Sequence, residues 1–466
     1  MGSMAFDVQV LESSFVAPSE PTPRKGLWLS SLDTVQANKG HTPTIYLYSP
    51  KDVAAAADFF DVARLKEAMA KALVAFYPLA GRLGINNGDG RVEIDCNDEG
   101  ALFVVARADD LTVDEVKEFK PSPELRRLFV PRIEPSSIIL AIQVTFLKCG
   151  GVALGTALHH VSIDASSAFH FFQTWSAFSK HGDRAAVELP CHDRTLLRAR
   201  SPPTVHPDAL FTLHTKLAVY DPSGPLSTEV FTISRDQVAS LKHLCGGTST
   251  FSAVSALIWQ CTCVARRLPP DSEVRLVFPA DLRSRMRPPL PRHYFGNAVF
   301  RLHATGVAGH IGTMALGSIA AHIKGAIKRM DDELVRSAID YFEMAEMNNS
   351  RPLRGSTLPQ TDLSITSWLG RPQYDADFGW GKPQLMSRAE SARGGLVHLM
   401  NTEGTTNDGG GSGDIRVLVC MEAVNIKELG RLLYVKLKQA ACGVAPGELS
   451  KDALLQVPTP IVQESR

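Results

Sequence analysis

One short segment of the sequence, HHVSID from His159 to Asp164, combines the residue types that acid–base chemistry needs. It follows an apolar run typical of a buried strand and precedes a predicted helix, and loops at strand ends commonly carry reactive groups in α/β proteins. A neutral imidazole there could take a proton from an attacking hydroxyl or amine, because the unperturbed pKa of histidine is about 6.5. Asp164 could orient that imidazole directly, or turn away and hold the loop by pairing with an arginine. The alternative is that both histidines only end the strand.

A second unusual segment, DFGWGKP from Asp377 to Pro383, lies more than two hundred residues downstream. Two glycines flank Trp380 and permit backbone conformations and close approaches that other residues resist. The segment is therefore predicted to be a sharply bent, rigid turn. By itself, it could be an ordinary packed turn without a role in chemistry.

The composition is that of an ordinary soluble globular protein with room for one large domain or two domains. The chain has 466 residues, of which 44% are hydrophobic and 21% charged, and its 49 basic residues balance its 49 acidic ones. This balance argues against a nucleic-acid-binding protein. The start, Met1 to Met4, resembles a cloning remnant. No signal-peptide or transmembrane pattern follows it, so a cytoplasmic location is expected.

The eight cysteines are scattered without a CxxC pair or a histidine-rich neighbour. This spacing favours reduced, mostly buried thiols over disulfides or zinc ligands, and no metal is expected. The cysteines are Cys96, Cys149, Cys191, Cys245, Cys261, Cys263, Cys420 and Cys442.

Strand and helix patterns alternate along the chain, which favours a mixed α/β architecture that would position both segments. The predicted elements are a helix from Asp61 to Phe76, a strand from Arg91 to Asp95, a hairpin from Leu140 to His160, a helix capped by Ser166 or Ser167, a strand near Glu229 to Ile233, helices from Phe251 to Leu268 and from about Ile311 to Glu346, and strands from Gly395 to Met400 and Ile415 to Glu422.

A proline-rich, poorly periodic stretch divides the sequence into two halves of similar size. We predict an N-terminal domain over residues 1–198, a crossover linker over 199–225 and a C-terminal domain over 226–466. A polar, glycine-rich loop is predicted from Thr402 to Asp414.

Taken together, HHVSID and DFGWG resemble the motifs of the plant BAHD acyl-CoA-dependent acyltransferases, and the resemblance covers nearly the whole chain. Further stretches lie in the order found in that family, namely His41 to Thr44 (HTPT), Tyr77 to Leu83 (YPLAGRL), Asp281 to Arg283 (DLR) and Tyr294 to Asn297 (YFGN). The resemblance implies a chloramphenicol acetyltransferase-like fold, with two mixed β-sheet domains and flanking helices. Acyl-CoA and acceptor would enter a channel between the domains from opposite faces.

The resemblance also implies roles for individual residues. His160 would be the general base, and Asp164 would pair with Arg283, although glycine is common in the family where this chain has Ala165. Trp380, and more weakly Thr366, would donate to the oxyanion, and Asp377, Gly379 and Gly381 would be structural. Ser249, Thr250 and Arg266 would contact CoA. The substrate-binding residues would be Thr42, Thr44, Tyr46, Thr366, Trp368 and Gly370. Acyl-CoA is a cosubstrate, so no cofactor, metal or nucleophilic cysteine is implied.

The resemblance is greatest to the hydroxycinnamoyltransferase branch, which implies a p-coumaroyl, caffeoyl or feruloyl thioester as donor, although a benzoyl donor would fit similar walls. Members that use shikimate have an arginine where this chain has Gly370, and here Arg371 comes one residue later. In an extended segment that shift would reverse the side-chain direction and remove the clamp for a carboxylate.

An amine or polyamine acceptor of the spermidine, putrescine, agmatine or tryptamine type is therefore favoured. Asp375, Asp377, Glu343 or Glu346 could hold a second ammonium group, or could be solvated surface carboxylates. Transfer to a hydroxyl of shikimate or quinate remains the alternative, because a local adjustment of the backbone could still bring Arg371 to a carboxylate. Benzoyl transfer to an amine is a further alternative.

Two other classes compete with this hypothesis. A condensation domain of a peptide synthetase has a similar length and an HHxxxD motif but lacks a DFGWG counterpart, and a catalytically silent relative would act by binding alone. We expect a monomeric enzyme that binds small molecules and neither nucleic acid nor membranes.

Overall fold

Two six-stranded sheets form the framework of the computed structural model. The structure describes residues 6–50, 58–207, 224–347, 358–391, 393–403 and 413–442. The start of the chain at Met1 to Met4, residues 208–223 of the predicted linker and residues 404–412 of the predicted polar loop lie outside the described residues.

The first sheet is mixed, because β6 and β7 run parallel while the other neighbours are antiparallel. Its strands, in spatial order, are β1 (Gln9–Val16), β6 (Ala101–Ala108), β7 (Leu140–Leu147), β8 (Val152–His159), β3 (His41–Tyr48) and β13 (Leu385–Arg388). A small antiparallel sheet beside it contains β2 (Lys25–Trp28), β5 (Val92–Cys96) and β4 (Arg82–Ile85).

The second sheet is also mixed, with β12 parallel to both of its neighbours. Its strands, in spatial order, are β11 (Val299–Val307), β10 (Glu273–Asp281), β12 (Asp362–Ser367), β14 (Leu396–Asn401), β15 (Ile415–Glu422) and β9 (Leu226–Ile233). The sheets carry separate apolar cores.

Helices cover the faces of both sheets. In the first half these are α1 (Ser31–Thr34), α2 (Val62–Ala75), α3 (Val113–Glu118), α4 (Pro123–Phe129) and α5 (Ala165–His181). In the second half they are α6 (Arg235–Leu244), α7 (Thr250–Ala265), α8 (Ala308–Thr313), α9 (Leu316–Lys328), α10 (Asp332–Met347) and α11 (Ala423–Cys442). No helix within the described residues has the length and apolar character needed to span a membrane.

Most predicted elements are present, and two predictions were wrong. The helix after HHVSID is capped by Asp164, whose carboxylate accepts from the Ser167 amide at 3.0 Å, rather than by Ser166 or Ser167. The single helix predicted from Ile311 to Glu346 is three helices, α8 to α10. The last of them begins anew because the side chain of Asp331 accepts from the Leu334 amide at 2.9 Å, as a helix cap does.

The thiols match their prediction where burial is concerned. All eight cysteines are free of disulfides, and the five buried ones are Cys96, Cys245, Cys261, Cys263 and Cys420. Burial raises the pKa of Cys96, Cys261 and Cys263 to about 12, so these thiols stay protonated at neutral pH.

One segment of the second half completes the first sheet. Strand β13 pairs with β3, which places Arg388 opposite Thr44. Just before β13, the Tyr48 hydroxyl donates to the carbonyl oxygen of Ala376 at 2.9 Å. The proposed division at residues 198 and 226 stays a prediction, and the two halves of the sequence are structurally interlocked at this strand.

The β7–β8 hairpin forms the centre of the first sheet. At Gly155 on β8, there is no room for a side chain between the strand and α4. A Cβ on Gly155 would lie 1.6 Å from the carbonyl oxygen of Phe129, the last residue of α4. Glycine is required there because α4 packs with its backbone directly on the strand.

We expect Gly155→Ala to destabilise the protein by about 3 kcal/mol, since α4 or β8 must move to admit a methyl group. Gly84→Ala is the matched control, because nothing lies within 4 Å of a Cβ at that strand position. Thermal unfolding of both variants checks the prediction, and equal unfolding temperatures would contradict it.

Candidate active site

A cavity of about 420 Å³ lies between the two sheets, with His160 in its wall. Strands β3 and β13 of the first sheet and β10, β11, β12 and β14 of the second all contribute lining residues. Its apolar walls are formed mainly by Leu158, Ile163, Phe169, Phe172, Trp368, Met386 and Leu396. The cavity is therefore suited to a flat apolar group held beside an imidazole.

The backbone around His160 is held by hydrogen bonds on both sides. Its amide donates to the carbonyl oxygen of Gly40 at 2.9 Å, at the start of β3. The side-chain amide of Asn297 donates to the carbonyl oxygens of His160 at 2.9 Å and Val161 at 3.2 Å. The Arg194 guanidinium donates to the carbonyl oxygen of Ser162 at 2.6 Å. The loop after β8 is thus fixed from both halves of the sequence.

Asn297 and Arg194 are themselves held by one buried carboxylate. Asp33 accepts from the backbone and side-chain amides of Asn297, each at 2.9 Å, and lies 3.0 Å from Arg194. Asp33 and Asn297 are fully buried and Arg194 is 1% exposed. Buried charges require such pairing. Sequence analysis quoted Asn297 only within YFGN and missed Asp33 and Arg194, because nothing in their local sequence signals the contact.

The His160 imidazole is positioned as a neutral base facing the cavity. Burial lowers its pKa well below the ordinary value, and Lys39, Arg301 and Arg388 lower it further, against a smaller opposing effect of its own backbone. Among the residues that the structure describes, no other side chain hydrogen-bonds to the ring. The imidazole is therefore free to accept a proton from a substrate.

Asp164 does not touch that imidazole and instead forms a forked pair with Arg283. The two Nη–Oδ distances are 2.8 and 3.1 Å, and the same carboxylate accepts from the amides of Ser167 and Ala298, both at 3.0 Å. Although burial opposes the charge, Arg283 and these amides lower the pKa of Asp164 below its usual range. The loop-pinning alternative, with the pair named from the sequence, is the one the structure contains.

The His159 side chain is buried and does not line the cavity. Its Nδ1 atom accepts from the Val161 amide at 3.3 Å, and its ring lies edge-on to His41 at 4.9 Å. Burial, with a smaller contribution from His41, lowers its pKa to about 4, so it stays neutral. The two adjacent histidines thus differ in role, as strand alternation requires.

Trp380 lies elsewhere, which corrects its predicted role as an oxyanion donor. Its ring stacks on Phe60 at 5.2 Å, lies 4.4 Å from the Arg64 guanidinium and does not line the cavity. DFGWG is a packed turn, in which the Asp377 carboxylate accepts from the amides of Gly379 and Gly381, each at 2.9 Å. Both glycines have positive φ, 105° and 110°, as the predicted bend requires.

Of the predicted CoA contacts, that of Arg266 needs correction. Arg266 is buried in an ion pair with Glu422 at 3.0 Å and donates to the carbonyl oxygens of Gln360 and Asp362, so it is not available to a phosphate. The Ser249 hydroxyl caps α7 by accepting from the Ser252 amide at 3.2 Å. Neither Ser249 nor Thr250 lines the cavity. Contact of Ser249 and Thr250 with CoA stays a prediction.

Five of the six residues predicted to bind substrate line the cavity, namely Thr42, Thr44, Tyr46, Thr366 and Trp368. Gly370 does not line the cavity, and Arg371 does. The segment is not extended: the Arg371 amide donates to the carbonyl oxygen of Trp368 at 3.0 Å and Gly370 has φ +71°, which defines a tight turn. Arg371 consequently reaches Ser166 at 2.5 Å and Asp281 at 2.9 Å.

The acids predicted to hold a second ammonium group do not line the cavity. Asp375 pairs with Lys382 and Asp377 with Lys180. Glu343 and Glu346 both lie near Arg91. The structure instead places basic residues in the lining that could not be singled out from the sequence, among them Lys39, Arg301, Arg388 and Arg393. These residues lie in separate parts of the sequence and outside the quoted motifs, so no local pattern predicts that they meet.

Comparison with known proteins adds a family to this geometry. A model of the Transferase family matches residues 6–431. The chain belongs to this family, the BAHD acyltransferases. Putrescine hydroxycinnamoyltransferase 1 of Oryza sativa subsp. japonica is 40% identical over 455 residues, which cover 92% of this chain and 99% of that protein.

Shikimate O-hydroxycinnamoyltransferase of Nicotiana tabacum is 38% identical over 92% of this chain and 99% of that one. Among solved structures, vinorine synthase matches with a TM-score of 0.69 and 25% identity, over 92% of this chain and 98% of that one. The predicted family, the fold class and acyl-CoA-dependent acyltransferase activity are confirmed. Membership over nearly the whole chain sets aside the condensation-domain alternative.

In this BAHD enzyme, we expect Asp164→Asn to lower stability by about 3 kcal/mol, because it removes the nearer and more buried of the two carboxylates that face Arg283. The double variant Asp164→Asn, Arg283→Met should recover part of the loss. Asp183→Asn, in an exposed pair with Lys71, is the control and should change stability by less than about 1 kcal/mol. Unfolding temperatures measure all three, and a double variant less stable than Asp164→Asn would contradict the pairing argument.

Proposed function

We propose that this enzyme transfers a hydroxycinnamoyl group from CoA to the nitrogen of an amine acceptor, with His160 as general base. The observation that carries the proposal is a neutral imidazole on a fixed loop, facing a cavity with aromatic walls. Phe169 and Trp368 meet edge to face at 5.9 Å and offer a slot for a planar ring. The name of the rice relative, which is 40% identical, supports an amine acceptor.

The reaction needs one proton relay and no covalent enzyme intermediate. As the acceptor nitrogen attacks the thioester carbonyl carbon, its proton passes to Nε2 of His160. The resulting tetrahedral oxyanion collapses, the carbon–sulfur bond breaks, and the imidazolium returns the proton to the thiolate of CoA. An amide and free CoA are the products. With Trp380 remote, Thr366 on β12 is the sequence-derived oxyanion donor that lines the cavity.

Transfer to a hydroxyl group of an acid such as shikimate is the second candidate. The presence of Arg371 in the cavity favours it, because a guanidinium binds a carboxylate in two-pronged fashion. The tobacco relative acts on shikimate by its name. Incubation with p-coumaroyl-CoA and a panel of amines, shikimate and quinate, followed by mass spectrometry, distinguishes the candidates. Release of CoA with none of these acceptors consumed would refute both.

We expect His160→Ala to lower kcat by about a thousandfold, since loss of a general base removes a factor of that order. Folding should be retained, because no other side chain among the described residues hydrogen-bonds to the ring. His243→Ala, on the exposed side of α6, is the control and should keep normal turnover. Turnover of His160→Ala within tenfold of the unsubstituted enzyme would refute the assignment of the base.

The lowered pKa of His160 predicts the pH profile. The base must be neutral to act, so kcat/KM falls on acidification only as the pH drops through that lowered pKa. With an aromatic amine or an alcohol as acceptor, kcat/KM should stay level from pH 8 down to about 6.5, the ordinary histidine value. An alkyl amine adds a second dependence, because its ammonium form must first lose a proton. A fall centred near pH 6.5 with an alcohol acceptor would contradict the electrostatic argument.

A further inference from the structure

Four cations enter the cavity beside His160 without forming an ion pair among the described residues. Lys39 precedes β3, Arg301 lies on β11, Arg388 ends β13 and Arg393 precedes β14. These elements belong to both sheets, so the four charges converge from separate parts of the fold. We call Lys39, Arg301, Arg388 and Arg393 the basic cluster.

The acids of the cavity do not neutralise the basic cluster, because other arginines already engage them. The three pairs are Asp164 with Arg283 at 2.8 Å, Asp281 with Arg371 at 2.9 Å and Glu390 with Arg126 at 2.8 Å. Within the described residues, the Arg388 guanidinium donates to the backbone carbonyl oxygen of Glu390, at 3.3 and 3.4 Å, and not to its carboxylate. The lining includes six Lys or Arg against three Asp or Glu, so basic side chains outnumber acidic ones by three.

The cluster is close enough for its members to oppose one another. Burial lowers the pKa of Lys39 well below its ordinary value, and the three guanidinium groups of the cluster lower it further. Burial, Arg126 and Arg393 lower the pKa of Arg388, against an opposing effect of Glu390, to about 10. Such an arrangement of cations is unfavourable by itself, and an anion placed among the charges would relieve it.

We infer that the basic cluster is a subsite for a carboxylate carried by the acceptor. This inference rests on the proposed function, since it describes the molecule that His160 deprotonates. The acceptor class is then an amine that also bears at least one carboxylate, with an acidic alcohol as the corresponding O-acylated class. A polyamine fits poorly, because its second ammonium group would enter a cavity that is already positive.

The position of the cluster favours the acceptor over the phosphates of CoA. Lys39, Arg301 and Arg388 act directly on the His160 ring, so they lie near the reacting atoms. The CoA phosphates lie at the far end of the pantetheine arm from the sulfur, and the hydroxycinnamoyl group is uncharged. Strand pairing also places Arg388 opposite Thr44, one of the cavity residues assigned to substrate binding. The acceptor is the remaining source of an anion there.

Matched acceptors test the inference with p-coumaroyl-CoA as donor. Tyrosine, ornithine and tryptophan differ from tyramine, putrescine and tryptamine by one carboxylate. Within the pair that the enzyme uses best, we expect kcat/KM to be at least roughly tenfold higher for the amino acid than for its decarboxylated amine. A factor of this size corresponds to one hydrogen bond to a charged group. Higher values for all three decarboxylated amines would overturn the carboxylate subsite and leave the proposed acyltransferase intact. Failure to acylate any amine or acid would instead refute the proposed function.

Variants of the cluster locate the subsite. Arg388→Gln and Arg301→Gln should each raise the acceptor KM roughly ten- to a hundredfold for a carboxylate-bearing acceptor, with the KM for p-coumaroyl-CoA unchanged. Arg388→Glu should also improve the kcat/KM of putrescine relative to ornithine. Arg107→Gln, at an exposed position on β6, is the charge-matched control. A rise confined to the KM for p-coumaroyl-CoA would overturn the inference and assign the cluster to CoA.

Unfolding temperatures show whether such losses come from misfolding. Removing one of several opposed cations should leave the unfolding temperature of Arg388→Gln equal or higher. A carboxylate-bearing acceptor should raise the unfolding temperature of the unsubstituted protein, and this rise should be smaller in Arg388→Gln. An equal rise in both proteins would contradict binding at this cluster.

Discussion

The forked ion pair between Asp164 and Arg283 is the interaction on which the geometry of the active site depends. Asp164 is 4% exposed, so its charge is tolerable only because Arg283 and two backbone amides satisfy it. One carboxylate thereby caps α5, binds the start of β11 through Ala298 and holds the end of β10. Because these elements come from both halves of the sequence, the pair fixes the two sheets relative to each other where the cavity opens.

A loop fixed in this way can carry a base without bonding to the base itself. Asn297, Arg194 and Gly40 hold the backbone of residues 160–162 through hydrogen bonds to main-chain atoms, and none of these bonds involves the imidazole ring. The backbone atoms of the loop are thus held in place by hydrogen bonds, while the ring nitrogen of His160 stays available to a substrate. The ring keeps its proton-accepting capacity, while burial and the neighbouring cations keep it neutral. An Asp–His dyad would have raised the pKa instead, since a nearby carboxylate favours the charged imidazolium.

Features encoded locally could be predicted from the sequence, and features created by long-range packing could not. The β7–β8 hairpin, α2 and the bend of DFGWG follow from alternation, helical spacing and glycine placement. The position of Trp380 does not follow from these local signals. It depends on packing against Arg64 in α2 and against Phe60, which precedes α2. Arg371 shows the same limit. The left-handed backbone of Gly370 places the Arg371 side chain in the cavity. The alternation of side chains along a strand does not predict this turn.

On the roles proposed for His160 and the basic cluster, the cavity separates acyl transfer from acceptor choice. The base and its supports come from β8, α5, the end of β10 and the YFGN segment, which are tied together by buried charges. Arg388 and Arg393 come instead from β13 and the residues after it, a four-residue strand at the edge of the first sheet. Side chains on a short edge strand can change without disturbing a buried network. A substitution at this edge can therefore alter the basic cluster, while the Asp164–Arg283 ion pair still holds the loop that carries His160.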